Sequence, residues 1–309
     1  MNVLVIGAVV LDIAASPVGA AASWREKQWI NDVKIGIGGD AANQCVHLAS
    51  LGHHARLAAC LGDDENGRTL LGALEARGVD TGAVVLDPDK KTGTSVILIS
   101  EDGERHIFSV PGAHRQLSEK QLPESLLDGC DAVSVASLLN LPVLEESGMR
   151  RFLGKARERG MPVFGDLCAC SEDMDREQTL GLLDLFDHFL PSSYDVMNLT
   201  GTRTEEEAAR ALRGRGVGTA VIKCGERGAY VLAEDFAGRI PARAVRAVDT
   251  TGCGDCMSAA YLSAVLEGAA AREAAAFGCA AGTVCAGYPG ASDFVLRREE
   301  IRNYIEDGS

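Results

Sequence analysis

The sequence predicts a doubly wound α/β protein, a mostly parallel sheet covered by helices on both faces. Short apolar runs alternate with helical patterns along most of the 309 residues. The strand runs are continuous in Val, Ile and Leu rather than alternating with polar residues, as expected where a parallel sheet is buried on both sides. Strand-then-helix alternation is itself the signature of that architecture.

The first strand is read over Asn2–Gly7, within MNVLVIGAVVLDIAA. No Lys or Arg precedes this run and Asp12 interrupts it, so it reads as buried strand rather than secretory leader. Asp12 is then expected at the strand's carboxyl end, where open α/β sheets bind ligands; a turn-initiating aspartate is the plainer reading. Ser16–Ile37 has no helical period, and Trp24–Ile37 reads as short, partly polar strands. A helix over Ala41–Leu51 leads to a strand over Ala55–Leu61 and a helix over Leu70–Arg77. Thr92–Val110 reads as a hairpin, GTSVILIS and RHIFSV around EDGE, with Asp102-Gly103 as its turn. Further strands are expected over Ala132–Ala136, Pro162–Asp166, His188–Leu190, Thr219–Lys223 and Ala229–Ala233. The remaining helices are expected over Met149–Arg159, Glu205–Arg213, Cys256–Glu267 and Ala270–Ala286. Thr204 ahead of Glu205, Glu206 and Glu207 is a capped, dipole-favoured helix start and reads as structural.

Composition narrows the partners. A net charge of −14 leaves no basic surplus for nucleic acid or for an anionic membrane surface. No stretch of eighteen clean apolar residues predicts a transmembrane helix. Ten cysteines without an export signal point to free thiols in a reducing, cytoplasmic setting. Neither a repeat nor a low-complexity linker divides the chain, so residues 1–309 read as one domain.

Two constellations carry chemistry. In VKIGIGGDAANQCVHLASLG, Gly36, Gly38 and Ala41 fit the dinucleotide fingerprint, with Asp63 at the end of the next strand. That makes an NAD(P)-binding Rossmann oxidoreductase a rival reading. Against it, Asp32–Ile35 is short and half polar for a central strand, and Asp40 would repel a pyrophosphate. Alternatively, Gly38 and Gly39 admit a small polar ligand while Asp40 and Asn43 reach its hydroxyls, a pairing suited to a polyol. Asp40 as a helix N-cap is the bland equivalent.

The second constellation is VDTTGCGDCMSAAYLSAVLEG, Val248–Gly268. Gly252, Cys253 and Gly254 lead into a helix, so successive N–H groups can converge on an anion. Asp255 beside them suits a base that takes a proton while negative charge develops nearby, as hydroxyl attack on a phosphoryl group requires. An aspartate here can also be a simple cap. Cys253 and Cys256 match C-x-x-C, but a structural zinc site needs a second pair, and Cys168-x-Cys170 has the wrong spacing. The cysteines therefore read as incidental, with Cys256 facing the core.

Together these stretches resemble the ribokinase-like (PfkB) family of carbohydrate and nucleoside kinases. GGDAANQCVHLASLGHHARLAACLGDDENG looks like the family's first signature and DTTGCGDCMSAAYL like its second, the D-T-x-x-x-G-D anion-hole motif. KCGERG, Lys223–Gly228, resembles the strand-loop that covers the nucleotide, and PSSYDVMNLTG occupies the place of the metal-linked P-N-x-x-E segment. Order and spacing agree over essentially the whole chain, which argues against the dehydrogenase.

The resemblance implies a three-layer α/β/α domain with a small β-lid, here roughly residues 13–37 and 92–112, together with ATP and Mg²⁺. It implies Asp255 as the base and the backbone N–H groups of Gly252, Cys253 and Gly254 as the anion hole. Asp12, Gly39, Asp40, Asn43 and Asn140 would bind a sugar. Lys223, Gly225 and Gly228 would lie on the nucleotide side, and Asp195 would reach Mg²⁺ through water. Asp249, Thr251, Cys285, Tyr288 and Gly290 would form the monovalent-cation (K⁺) site seen in many members. In relatives the lid often dimerises, so a homodimer through it is a further implication.

The chain departs from the family pattern at Ser192 and Asp195, which replace Asn and Glu, and at Cys253, which replaces a small Ala. GGDAAN matches neither the ribokinase-like G-G-K-G-A-N nor the fructokinase-like G-G-A-P-A-N, and looks closer to a poorly characterised sugar-kinase subgroup. The expected reaction is ATP-dependent phosphorylation of a hydroxymethyl group on a sugar or sugar-like polyol, with a nucleoside kinase as the rival within the family. His114 and Arg115, following the hairpin, hint at a sugar acid, or are solvated loop residues. Asp166, ending PVFGD, could support the metal waters or initiate a turn.

Overall fold

The computed structural model describes residues 1–19, 27, 29–101, 105–144, 146–167 and 176–306. Trp24, the Asp102-Gly103 turn and the Cys168/Cys170 pair lie outside the described residues. In chain order the strands are β1 (Asn2–Ile6), β2 (Val10–Val18), β3 (Asp32–Gly38), β4 (His54–Gly62), β5 (Asp80–Asp87), β6 (Thr94–Ser100), β7 (Arg105–Val110), β8 (Ala132–Val135), β9 (Val163–Gly165), β10 (His188–Phe189), β11 (Thr219–Lys223), β12 (Ala229–Leu232) and β13 (Ala237–Ile240). The helices are α1 (Asp40–Ser50), α2 (Glu65–Ala76), α3 (Glu146–Glu158), α4 (Arg176–Gly181), α5 (Ser193–Thr200), α6 (Glu205–Gly214), α7 (Cys253–Leu266), α8 (Ala271–Ala286) and α9 (Arg298–Glu306).

Nine strands form the main sheet in the order β13-β12-β11-β10-β9-β8-β1-β4-β5. From β5 to β11 neighbouring strands pair in parallel; β12 and β13 add an antiparallel edge. Alternate residues of β1 feed opposite cores, because successive side chains leave a strand on opposite faces. Leu4 and Ile6 join Phe152, Leu199 and Leu212 of α3, α5 and α6, whereas Val3 and Val5 join Val46, Leu70 and Leu262 of α1, α2 and α7. Three layers follow directly from that alternation. Helix α7 is buried continuously from Cys256 to Ala264 between α1 and α8, as befits a helix apolar on every side. It starts at Cys253, three residues before the expected boundary.

A second sheet of four strands, β3-β2-β6-β7, stands apart from the first. Two expectations are corrected here. The N-terminal apolar run is two strands in two sheets, so Asp12 lies within β2 rather than at the end of β1. Gly36 and Gly38 lie on β3, a largely exposed strand of the smaller sheet, not at the end of a buried central strand. The Rossmann reading fails at that point.

Register sorts the smaller sheet into two faces. Asp12 pairs with Gly36 and Ser95, and Ser95 with Ser109; in the next row Ile13 pairs with Ile35 and Val96, and Val96 with Phe108. The pleat sends these rows to opposite sides. One side is polar around Asp12, and the other exposes Val33, Ile35, Val96 and Phe108.

Candidate active site

The glycine run after β3 turns the chain into α1. Gly39 has φ of +93°, and a Cβ there would fall 2.5 Å from the Ala8 carbonyl oxygen, so a side chain is excluded on both counts. Gly38 is small for a different reason: the Asp12 carboxylate occupies the space a Cβ would need. Gly39 holds the N-cap position of α1 and no side chain caps it, so Asp40 is the first helical residue and not the cap the bland reading expects. Asp40 instead accepts a hydrogen bond from Ser137 Oγ (3.1 Å), while Ser137 Oγ accepts from the N–H of Ala8 (3.0 Å). One turn further along α1, Asn43 Nδ2 donates to Asp255 Oδ2 at 2.8 Å. Its own Oδ1 is buried without a protein partner.

Asp255 stands in the first turn of α7. Gly252 caps that helix with φ of +71°, closely backed by Ala291 and with no side-chain cap, and the Cys253 N–H makes only a long bond to the Thr250 carbonyl (3.4 Å). An uncapped helix start carrying Gly252 and Gly254 presents N–H donors and the positive end of the helix dipole. Lys223 adds a full charge: its Nζ lies 3.5 Å from the position a Gly254 Cβ would occupy. Lys223 also donates to Asp166 Oδ2 and to Ser258 Oγ (3.3 Å), and Ser258 Oγ donates to Asp166 at 2.8 Å. Its backbone ends β11 beside the Gly225–Arg227 turn, but its ammonium turns inward, away from the nucleotide-side glycines with which the sequence grouped it.

The charges perturb one another. Burial and the neighbouring Asp40 push the Asp255 carboxyl well above its usual range, against the pull of Lys223 and Asn43. Burial likewise raises Asp166 to about 6 although Lys223 and Ser258 favour its charged form. Burial disfavours the Lys223 cation, but Asp166, Asp255 and Asp40 more than compensate and hold it above the ordinary lysine range. Asp12 is raised to about 6, chiefly by burial, with Asp40 and Asp293 adding to the shift and Ser95 opposing it.

A cleft of about 400 Å³ lies between the polar face of the smaller sheet and the segments 247–251 and 289–293. Asp12, Lys34, Asp249 and Asp293 supply its charged walls, with Ile97 and Ile99 among the apolar ones. Asp255 is not in the wall; Asp40 is the charged neighbour that Asp12 and Asp255 share. At the other side Asp249 Oδ1 accepts from the N–H (2.9 Å) and hydroxyl (2.7 Å) of Thr251, and its Oδ2 from the N–H of Gly290 (2.9 Å). Cys285 closes this loop, its thiol directed at the Thr251 carbonyl (3.7 Å). Tyr288 departs from the group: its phenol donates to Glu300 and its ring stacks on Phe294.

Other expected residues fall along the carboxyl edge of the main sheet. Asn140 ends the turn after β8, its N–H donating to Ser137 O. Asp195 sits in the first turn of α5, where Ser192 caps the helix and donates to Asp195 Oδ2 at 2.6 Å. Gly225 is open, but Gly228 is pressed against the Ile240–Ala242 backbone and serves packing. His114 is neither solvated nor in the cleft; it is buried beneath Gly93, and burial lowers its pKa to about 4. Ser137, Ser258, Ser95 and Asp293 were not singled out from sequence, because an isolated serine or aspartate carries no spacing signal.

A model of the pfkB family carbohydrate kinases matches residues 2–297. The ribokinase of Haemophilus influenzae is 28% identical over 278 residues, covering 88% of each chain. The 2-dehydro-3-deoxygluconokinase of Thermoproteus tenax is 30% identical over 289 residues, covering 87% of this chain and 85% of its own. Among solved structures, Arabidopsis thaliana ribokinase complexed with ribose and ATP superposes with a TM-score of 0.81 at 24% identity, covering 99% of this chain and 98% of its own.

Proposed function

Because the chain belongs to the pfkB family of carbohydrate kinases, we propose that it transfers the γ-phosphoryl group of ATP to a hydroxymethyl group of a neutral sugar or sugar-like polyol. One observation carries the reading: a carboxylate, Asp255, stands in the same helical turn as an uncapped, glycine-built anion hole with a lysine over it. Asp255, with its affinity for protons raised, takes the proton of the attacking hydroxyl. Asn43 holds its Oδ2 and so fixes which oxygen faces the substrate. The N–H groups of Gly252, Cys253 and Gly254, with Lys223, stabilise the charge on the transferring group. Mg²⁺ would neutralise the phosphate oxygens, and Asp195 would hold it through water, since hard oxygen donors at this edge suit it. K⁺ would be held around Asp249 and the backbone of Thr251, Cys285 and Gly290.

Substrate chemistry follows from the cleft. Asp12, Asp40, Asn43 Oδ1 and Asn140 are acceptors for hydroxyl donors, and the smaller sheet acts as the lid that brings Asp12 onto them. Three carboxylates against a single Lys34 in the wall oppose a sugar acid. Among the described residues lining the cleft none is aromatic, so a nucleoside base has nothing to stack on. The apolar outer face of the lid, Val33, Ile35, Val96 and Phe108, is suited to pairing with a second copy. The decisive experiment is Asp255→Asn in an ADP-release assay across pentoses, hexoses, ketoses, sugar acids and nucleosides. Turnover should fall at least ~10²-fold with the far-UV circular dichroism retained; near wild-type turnover would remove Asp255 from its role.

A further inference from the structure

The C-x-x-C in the first turn of α7 is not isolated in three dimensions. Cys256 meets Cys285 from the end of α8 and His47 from α1, and one ligand atom from each lies within 4.8 Å of the others. All three residues are buried, with 0% exposure. Cys285 is also in hydrogen-bond contact with Cys253, which is only half-buried. Three potential ligands, two sulfurs and one imidazole, thus converge from three helices with 237 residues between His47 and Cys285 in the chain, and Cys253 brings a further sulfur beside Cys285.

We propose that His47, Cys256 and Cys285, with Cys253 in the fourth position, form a binding site for a thiophilic d¹⁰ divalent ion of the Zn²⁺ class. Cys₃His is an established tetrahedral donor set for such ions. The surroundings agree with it on two points. First, His47 Nε2 faces the Ala291 carbonyl at 3.0 Å, so it carries the proton and the lone pair is left on Nδ1, which has no partner. Secondly, the thiols have only carbonyl acceptors: Cys256 at Ala281 O (3.3 Å), Cys285 at Thr251 O (3.7 Å) and Cys253 at Asp249 O (4.0 Å). None of these is strong enough to compete with a metal–thiolate bond.

Charge balances as well. If Cys256 and Cys285 each release a proton to solvent, the entering dication is neutralised by two thiolates and a neutral imidazole. The buried site then gains no net charge, avoiding the penalty for an uncompensated ion. Ionising Cys253 as well would release a third proton and leave one negative charge at the half-exposed corner, facing the entry path. Uptake must therefore release protons and weaken as pH falls. Tightening these ligands also draws together the segments on either side of the anion hole, so occupancy is expected to raise thermal stability. The site rests on side chains that the phosphoryl-transfer reading leaves unused.

The test uses the full-length reduced protein, incubated anaerobically with Zn²⁺ or Co²⁺ and freed of excess ion. One Zn²⁺ per chain should be retained, and Co²⁺ should give thiolate-to-metal charge transfer with a tetrahedral visible spectrum. Cys256→Ala and Cys285→Ala should each lose both signals while keeping the circular dichroism of the parent. Cys253→Ala, on the half-exposed corner, should keep the ion at lower affinity with a shifted cobalt spectrum. Cys130→Ala, remote from the cluster, should behave as the parent. Absence of charge transfer in the parent, or undiminished stoichiometry in folded Cys256→Ala or Cys285→Ala, overturns the proposal.

Discussion

Replacing Asp12 by asparagine should make the protein more stable and a worse enzyme. The carboxyl is raised from 3.8 to about 6 in the folded chain, mainly by burial and then by Asp40 and Asp293. A folded-state pKa above the unfolded one means that the native form holds the proton more tightly. Stability attributable to Asp12 is therefore greatest below pH 4, falls as pH rises through the window from about 4 to 6, and stays low above it. At ~1.36 kcal/mol per unit the full penalty is about 3 kcal/mol. Asp12 is partly exposed at the cleft, so solvent screening reduces this to roughly 1.5–3 kcal/mol. Asparagine is nearly isosteric and still fits the space above Gly38, but carries no charge to bury. In urea unfolding at pH 8, Asp12→Asn should gain that amount, or about 2–5 °C in Tm. The gain should shrink toward zero at pH 4. The same variant should raise KM for the sugar at least ~10-fold, since an acceptor of two hydroxyl bonds becomes a mixed donor and acceptor. A stability difference independent of pH, or a loss at pH 8, would refute the electrostatic reasoning even if KM rose.

The remaining predictions concern neighbouring groups. Asn43→Ala removes the hydrogen bond that favours ionised Asp255, so the acidic limb of the kcat/KM profile should move to higher pH, and an unmoved limb would separate Asn43 from the base. Lys223→Met leaves Asp166 buried without its cation and should cost about 3–5 kcal/mol in urea unfolding at pH 8. That loss should diminish at pH 5, because Asp166 is already raised to about 6 and the variant raises it further, allowing it to protonate. Ile35→Glu on the outer face of the smaller sheet should convert a dimer to monomer in analytical ultracentrifugation; a parent that is monomeric at micromolar concentration refutes pairing through that face.

Much of this arrangement was legible in the residues. Continuous Val/Ile/Leu runs marked the buried parallel strands, and Gly252, Gly254 and Asp255 before an apolar run marked the start of α7. What escaped shares a physical cause. Edge strand β13 is half-buried and mixed in polarity, so no run announces it, whereas β5 holds a four-residue apolar run, Ala83–Leu86, between Gly82 and Asp87 that is too short to stand out beside the helix before it. The division of the N-terminal run between two sheets depends on a turn at Gly7–Val9 that interrupts no hydrophobic pattern. Lys223 reads as the end of a strand, and only the tertiary fold shows its ammonium against Asp166 and Ser258. Cys253 and Cys256 were visible as a pair, but their company, His47 and Cys285, is assembled by helix packing that no local spacing encodes.

The junction from β3 into α1 has an evolutionary implication. Upstream of Gly38 and Gly39 lie strands whose residues line the cleft; downstream, α1 carries Asp40 to Ser137 and Asn43 to Asp255. The two glycines cannot drift, one because of Ala8 and the other because of Asp12. Variation is thereby channelled into the cleft-facing positions of the smaller sheet, such as Ala14, Lys34 and Ile97. Descendants of this chain could change diet there while inheriting the Asp40–Asn43–Asp255 arrangement unaltered.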